Sequence, residues 1–236
     1  LHDALPIYST HLQDKPKDFW SLELFKKEFE LLVDHLGISN GFALLGHSWG
    51  GLLAAEIAIT HPQGLKALVL SSSLVDTDMW EVEARRLALE MPPEFSEPLI
   101  RHEDAGTVDS EEYQVAITEF YRRHLCRIPL PPEILKAVEE SGKDGTVYGA
   151  MWGHSELSCT GNLKHHVVSD RLNRISVPTR IFSGRHDEST PASNKTLFDS
   201  IPNSQWEIFE ESAHMTYMEE AAKYQRLLNA FLHQAL

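Results

Sequence analysis

The 236-residue sequence has few cysteines, fewer basic than acidic residues and no long apolar run. Its two cysteines, Cys126 and Cys159, lie far apart, which favours reduced thiols and a cytoplasmic location over a disulfide framework. No uninterrupted apolar stretch approaches the roughly 20 residues that span a bilayer. The formal charge of −14 is not offset by a basic stripe, which argues against nucleic acid and an anionic membrane surface as partners.

Motifs that bind metals or nucleotides are also missing. The chain contains no Cys-x-x-Cys, no His-Glu-x-x-His and no Gly-x-Gly-x-x-Gly. His165 and His166 are adjacent, so on a regular element their side chains point in different directions, which disfavours a shared metal ion. We therefore expect no metal and no cofactor, and the oligomeric state is left open.

The most informative motif that is present is a G-x-S-x-G pentapeptide at residues 46–50. It follows an apolar run at 42–45 and opens an alanine- and leucine-rich helical segment at 52–59. This strand–turn–helix context predicts a nucleophile elbow, a turn so tight that both flanking positions require glycine. We therefore expect Ser48 to be a catalytic nucleophile and the backbone N–H of Trp49 to contribute to an oxyanion hole.

A serine nucleophile of this kind requires an acid and then a histidine later in the chain. A strand-like run at 177–184 is followed by Asp187 and Glu188, and the next run, at 204–209, is followed by His214. Catalytic groups of such folds stand in loops at the carboxyl ends of parallel strands. We expect His214 to be the general base and the acid to orient it. Spacing alone does not separate Asp187 from Glu188.

The order of strand-like and helical segments predicts the α/β-hydrolase fold, a mostly parallel sheet with an inserted helical cap. We divide the chain into a first part of the core at 8–73, a cap at 74–169 and a second part of the core at 170–236. The cap region consists of amphipathic helical stretches separated by loops with proline and glycine. Most cap aromatics, Trp80 and Tyr148 among them, are expected to serve ordinary helix packing.

Four parts of the chain resemble the proline iminopeptidase family. They are residues 46–54, residues 152–157 with 160–164, residues 184–191 and residues 212–215. The Asn-Leu-Lys sequence at 162–164 and the Asp-Glu-x-Thr-Pro sequence at 187–191 are more diagnostic than the elbow, which many hydrolases share. The family comprises α/β-hydrolase serine peptidases, including the tricorn-interacting aminopeptidase, and related amino-acid amidases. The resemblance runs from about Trp20 to the C-terminus.

The resemblance implies roles for several side chains around the expected triad. It assigns the acid to Asp187, and it implies that Glu156 and Glu188 bind the free amino terminus of the substrate. Two carboxylates beside a nucleophile can bind an ammonium group through charge-assisted hydrogen bonds. Trp152, four residues before Glu156, is expected to wall the pocket. The residues alone leave other interpretations open, a solvated cap residue for Glu156 and a surface partner of Arg185 for Glu188.

The resemblance implies a serine exopeptidase that releases an N-terminal residue, preferably proline, from short peptides through an acyl-enzyme. Its partner would be a small peptide or an amino-acid amide. Two alternatives remain. One is an amino-acid amidase or carboxylesterase with the same triad, and the other is a non-catalytic binding protein with the α/β-hydrolase fold.

The start of the chain departs from the family pattern. The family carries a His-Gly-Gly-Pro-Gly loop that supplies an oxyanion-hole donor, and this sequence does not contain it. Loss of one such donor typically costs about 10²–10³ in rate. Residues 1–7 match the translation of a widely used sequencing adapter, which suggests an artefact joined to a frame whose N-terminal strands are missing. We therefore expect an uncovered apolar sheet edge, and poor solubility or impaired activity for the chain as written.

Overall fold

A computed structural model describes residue 12, residues 14–142 and residues 145–236. The adapter-like residues 1–7 lie outside the described residues. The elements follow in the order α1 (Leu22–His35), β1 (Phe42–His47), α2 (Trp49–Ile59), β2 (Leu65–Ser71), α3 (Thr77–Leu89), α4 (Pro93–Ala105), α5 (Glu111–His124), α6 (Pro132–Gly142), α7 (Thr146–Met151), β3 (Thr179–Gly184), α8 (Pro191–Ser200), β4 (Ser204–Phe209), α9 (Thr216–Glu219) and α10 (Ala221–Ala235). Short 3₁₀ helices cover Lys17–Phe19 and Ser169–Arg174.

The described strands form one parallel sheet in the order β1-β2-β3-β4. Leu68 and Leu70 on β2 and Ile181 on β3 are fully buried. Parallel strands covered by helices on both faces carry such continuous apolar runs. Burial of each of these side chains contributes about 1.5–3 kcal/mol to the free energy of unfolding. The predicted fold class is confirmed by this parallel sheet with its flanking helices.

Five helices, α3 to α7, lie between β2 and β3 along the chain. They fall inside the region predicted to be a cap, and α4 and α5 pack against each other. Trp80, Phe120 and Trp152 are buried in the same apolar cluster as the core leucines. The cap boundaries at 74 and 169 stay a prediction.

Helix α1 begins where its sequence predicts. The Ser21 hydroxyl accepts a hydrogen bond from the Leu24 N–H at 3.3 Å and so caps the helix. Phe25 packs edge-on against Trp49, with ring centroids 5.0 Å apart. The opposite face of α1 is exposed, with Leu32 at 53% exposure. This packing places α1 against the first turn of α2.

The β1 edge of the sheet exposes apolar side chains. Among the described strands, β1 pairs with β2 alone, and Leu45 on β1 is 44% exposed. The exposed Leu31, Leu36 and Ile38 on or just after α1 belong to the same region of the chain. An unpaired strand edge flanked by apolar side chains favours association with other chains. The expected uncovered edge corresponds to this surface.

The structure also bears on membrane and metal binding. Of the helices described, none is both long enough and apolar enough to traverse a membrane. Cys126 and Cys159 are both buried and free. His165 pairs with Asp78 and His166 with Glu56, each at 2.8 Å. Across the described part of the chain, no group of three or more potential ligands could hold a metal ion.

Candidate active site

Ser48 occupies a strained turn between β1 and α2. Its backbone has φ 55° and ψ −124°, a region that side chains other than glycine rarely adopt. The Ser48 N–H donates to the Ser71 carbonyl at 3.0 Å, and the Ser48 carbonyl accepts from the Leu74 N–H at 3.1 Å. Both bonds tie the turn to the carboxyl end of β2. This is the geometry of a nucleophile elbow, in which the hydroxyl is held above the end of the sheet.

The glycines of the elbow differ from the prediction. A Cβ atom at Gly46 would overlap the Gly50 carbonyl, so glycine is required there. At Gly50, by contrast, no atom lies within 4 Å of the position a Cβ atom would take. The prediction that both flanking positions require glycine is therefore wrong for Gly50. The requirement falls on Gly51, where a Cβ atom would overlap the Ser73 side chain.

The acid and the histidine form a hydrogen-bonded pair. His214 Nδ1 lies 2.7 Å from Asp187 Oδ1, and both side chains are buried. The N–H of Ser189 donates to Asp187 Oδ1 at 2.7 Å and that of Gly184 to Asp187 Oδ2 at 3.3 Å. These bonds fix the carboxylate, which in turn fixes the imidazole tautomer with Nε2 free to accept a proton.

His214 lies beside the elbow. Its ring centroid is 4.7 Å from that of His47, the residue before Ser48. Within the described residues, the His214 ring hydrogen-bonds to Asp187 alone, and the Ser48 hydroxyl is not bonded to it. In unliganded active sites such bonds are often long and tighten when substrate binds. The structure thus brings together the three expected triad residues, with the acid–base half already bonded.

The electrostatics of His214 reflect opposing effects. Burial lowers its pKa, whereas the charge of Asp187 and the hydrogen bond to it raise that pKa, as do the charges of Glu188 and Glu156. The net result is a pKa of about 9. A base with this pKa holds its proton at neutral pH unless the surrounding negative charge is compensated.

Glu188 is buried in the site with unused hydrogen-bonding capacity. It is 2% exposed, and its Oε2 atom has no partner among the described residues. Burial, followed by the charge of Glu156, raises the pKa of Glu188 well above its ordinary value. Arg185 pairs instead with Glu210, at 2.7 Å. The alternative interpretation of Glu188 as a surface partner of Arg185 is therefore wrong.

Glu156 is held by two aromatic residues of the cap. The Tyr148 hydroxyl donates to Glu156 Oε2, and the Trp80 indole N–H donates to the Glu156 carbonyl at 2.9 Å. Burial raises the pKa of the Glu156 carboxyl. Sequence analysis gave Tyr148 and Trp80 only packing roles. Their position in the aromatic-rich cap carried no signal that they would contact this carboxylate.

Trp152 lies one ring further from the histidine than Trp80. The ring centroids of Trp80 and His214 are 6.1 Å apart, and those of Trp80 and Trp152 are 5.9 Å apart. The Trp152 indole N–H donates to the Ser155 carbonyl at 2.7 Å. Trp152 therefore supports the ring that faces the histidine, and its expected contact with substrate stays a prediction.

His47 is a site residue that sequence analysis missed. Its Nε2 lies 3.0 Å from the His214 carbonyl oxygen. Burial lowers the pKa of His47 to about 4, and the charge of His214 lowers it further. A neutral His47 can donate to that carbonyl and join the elbow to the histidine loop. The only sequence signal for this contact is its place beside the nucleophile.

The comparisons with known proteins agree with this fold and site. A family model described as alpha/beta hydrolase fold matches residues 9–221, which defines the class of the protein. The proline iminopeptidase of Heyndrickxia coagulans is 34% identical over 221 residues, covering 93% of this chain and 76% of the relative. That of Clostridium botulinum is 38% identical over 220 residues, covering 92% and 74%. The chain belongs to the proline iminopeptidase family of α/β hydrolases.

A solved structure supports the same assignment. The crystal structure of proline iminopeptidase from Mycobacterium smegmatis superposes with a TM-score of 0.89 at 38% identity. The match covers 96% of this chain and 76% of that one. The family resemblance and the fold class predicted from the sequence are confirmed, and the protein is a hydrolase.

Proposed function

We propose that the protein is a serine exopeptidase that releases an N-terminal residue, preferably proline, from short peptides. Ser48 is the nucleophile, His214 the general base and Asp187 the residue that orients and stabilises the imidazole. The strained turn at Ser48 and the 2.7 Å hydrogen bond between His214 and Asp187 support these roles. The names of the similar peptidases support the choice of substrate class.

The reaction proceeds in two halves. His214 Nε2 takes the proton from Ser48 Oγ as this oxygen attacks the carbonyl carbon of the N-terminal residue. The tetrahedral intermediate collapses, the peptide C–N bond breaks and His214 returns the proton to the leaving amine. Water, deprotonated by His214, then hydrolyses the acyl-enzyme and releases the free amino acid. Asp187 remains ionised throughout.

The developing oxyanion needs hydrogen-bond donors. Trp49 is the first residue of α2, so its N–H is one of the donors at a helix start that have no carbonyl within their own helix. We propose that this N–H, at the positive end of the helix dipole, binds the oxyanion.

The single observation that carries the exopeptidase proposal is the buried, unpartnered Glu188 carboxylate next to the acid–base pair. Glu188 N–H follows directly on Asp187 in the chain, and Glu156 contributes a second carboxylate from the cap. A substrate ammonium group between the two would supply the missing donors and compensate the negative charge. Trp152, behind Trp80, is proposed to shape the pocket for the side chain of the first residue.

A comparison of free and blocked substrates tests the proposal. Proline p-nitroanilide should be hydrolysed, and N-acetylproline p-nitroanilide should react at least about 100-fold more slowly, because the carboxylates then stay buried without a partner. A p-nitrophenyl ester without an amino group serves as the third substrate. Equal rates for the free and blocked anilides would contradict an exopeptidase and favour an amidase or esterase. Turnover of none of the three, without covalent labelling of Ser48, would favour a binding protein.

A matched variant locates the amine site. Glu188→Gln should raise KM for proline p-nitroanilide while leaving the rate on the p-nitrophenyl ester within about threefold, since only the anilide presents an ammonium group. The exposed Glu210→Gln variant provides the control, because it removes a carboxylate from the neighbouring surface. A loss on both substrates in Glu188→Gln would contradict the assignment of Glu188 to amine binding.

A further inference from the structure

Glu219 bridges the histidine loop and the cap. Its Oε2 atom accepts a hydrogen bond from the Ala213 N–H at 2.9 Å, and its Oε1 atom accepts one from the Arg127 N–H at 2.8 Å. Ala213 directly precedes His214 and is fully buried. Arg127 lies just beyond the end of α5. One carboxylate therefore holds two backbone segments that are 86 residues apart in the chain.

The chain at residues 124–127, here called the α5 end, also contacts the catalytic loops through its backbone. The Leu125 carbonyl accepts from the Met215 N–H at 3.1 Å, directly after the catalytic histidine. The His124 carbonyl accepts from the Glu188 N–H at 3.1 Å, directly after the catalytic acid. The α5 end is thus bonded to both loops that carry the acid–base pair.

We propose that Glu219 is a positioning residue that fixes His214 by clamping the histidine loop to the α5 end. The inference rests on the proposed function, since it assigns Glu219 a role in the same reaction. A carboxylate that accepts two backbone N–H groups makes charge-assisted hydrogen bonds, which are roughly twice as strong as neutral ones. A shift of about 1 Å in a catalytic group can cost 10²-fold in rate. A clamp on the residue next to His214 therefore acts on kcat.

Glu220 offers an internal comparison. Its Oε2 atom accepts from the Glu211 N–H at 3.1 Å and from the Ser212 hydroxyl at 2.7 Å. It therefore holds the same loop but makes these bonds within it, without reaching the α5 end. Substitution of Glu220 loosens the loop locally, whereas substitution of Glu219 separates the loop from the cap.

The experiment compares Glu219→Gln with Glu220→Gln in the full chain. Glutamine at 219 keeps the shape but points an amide donor at one of the two N–H groups, which breaks one arm of the clamp. We expect kcat on proline p-nitroanilide to fall about tenfold, KM to change less than about twofold, and the rate of Ser48 labelling by a fluorophosphonate to fall with kcat. Glu220→Gln should lose less than about threefold in the same measurements.

Hydrogen exchange supplies a readout that does not depend on activity. Glu219→Gln should speed exchange of the Ala213 and Arg127 amides, and Glu220→Gln should leave the Arg127 amide unchanged. If Glu219→Gln does not fold, Glu219→Asp replaces it, because the shorter carboxylate cannot span both N–H groups. Unchanged exchange, unchanged kcat or an equal loss in Glu220→Gln would overturn the clamp. An inactive wild-type protein whose exchange still depends on Glu219 would instead contradict the proposed function.

Discussion

His214 is the side chain at which the charges of the site meet. Asp187 holds its ring by a 2.7 Å hydrogen bond, and the carboxylates of Glu188 and Glu156 add negative charge nearby. Together they outweigh burial and raise the pKa of His214 to about 9. A substrate ammonium group that compensates Glu188 and Glu156 would lower that pKa and free the base. The amine can therefore both bind and activate.

This charge balance predicts how the pH profile responds to a single substitution. The base acts in its neutral form, so the labelling rate of Ser48 should rise with pH through the pKa of His214, near 9. Glu188→Gln removes a charge that raises this pKa, so the rising limb should move to lower pH. Fluorophosphonate labelling at pH 6 to 10 measures the limb without needing the amine site. Glu210→Gln, on the surface, should leave it in place, and an unmoved limb in Glu188→Gln would contradict the coupling.

At the scale of elements, the elbow depends on the close approach of α2 to the end of β2. Gly51, in the first turn of α2, faces Ser73, whose carbonyl accepts from the Ser189 hydroxyl at 2.7 Å. The first turn of α2 and the loop of the acid therefore meet at Ser73. Any side chain at 51 would push this junction apart.

A pair of alanine substitutions tests the junction. Gly51→Ala should destabilise the protein by about 1–3 kcal/mol, because its Cβ atom overlaps Ser73 in a packed region. Gly50→Ala adds a Cβ atom in open space within a helix, where alanine is favoured over glycine by about 1 kcal/mol. Its free energy of unfolding should therefore be unchanged or higher. Urea denaturation measures both, and a Gly50→Ala loss equal to that of Gly51→Ala would refute the account.

The elements near Ser48 show how far sequence reasoning reaches. The elbow, the acid and the histidine were predictable because each follows a recognisable strand and the chemistry fixes their order. The correct glycine was not, because the clash at Gly51 comes from Ser73, on a different strand end. The contacts of His47 and Glu219 were also missed, since they join segments 167 and 92 residues apart in the chain. Local patterns carry no record of such pairings.

At the scale of the whole molecule, folding stability depends on pH through buried groups. His47 has a pKa of about 4 in the folded state, below its ordinary value of 6.5, because of burial first and the neighbouring His214 charge second. The unfolded chain therefore binds more protons between these values. The stability that this histidine contributes is fully present above pH 6.5 and is lost as pH falls towards 4.

His47→Gln should flatten this dependence. Glutamine does not titrate and its amide can still donate to the His214 carbonyl, so the loss of stability between pH 6.5 and 4 should shrink by up to roughly 3 kcal/mol. Urea denaturation at several pH values measures the slope. His35→Gln, at an exposed position on α1, is the matched control. The same slope in His47→Gln and the wild type would show that His47 is not buried in its neutral form.

The most direct test of the catalytic assignment is mass-spectrometric mapping of fluorophosphonate labelling. The account predicts a single phosphonylated residue, Ser48, with no label in Ser48→Ala. Labelling should be about 10⁴-fold slower in Asp187→Asn, because the asparagine holds His214 in the wrong tautomer. Label on another residue, or a rate in Asp187→Asn equal to that of the wild type, would contradict a Ser48–His214–Asp187 triad.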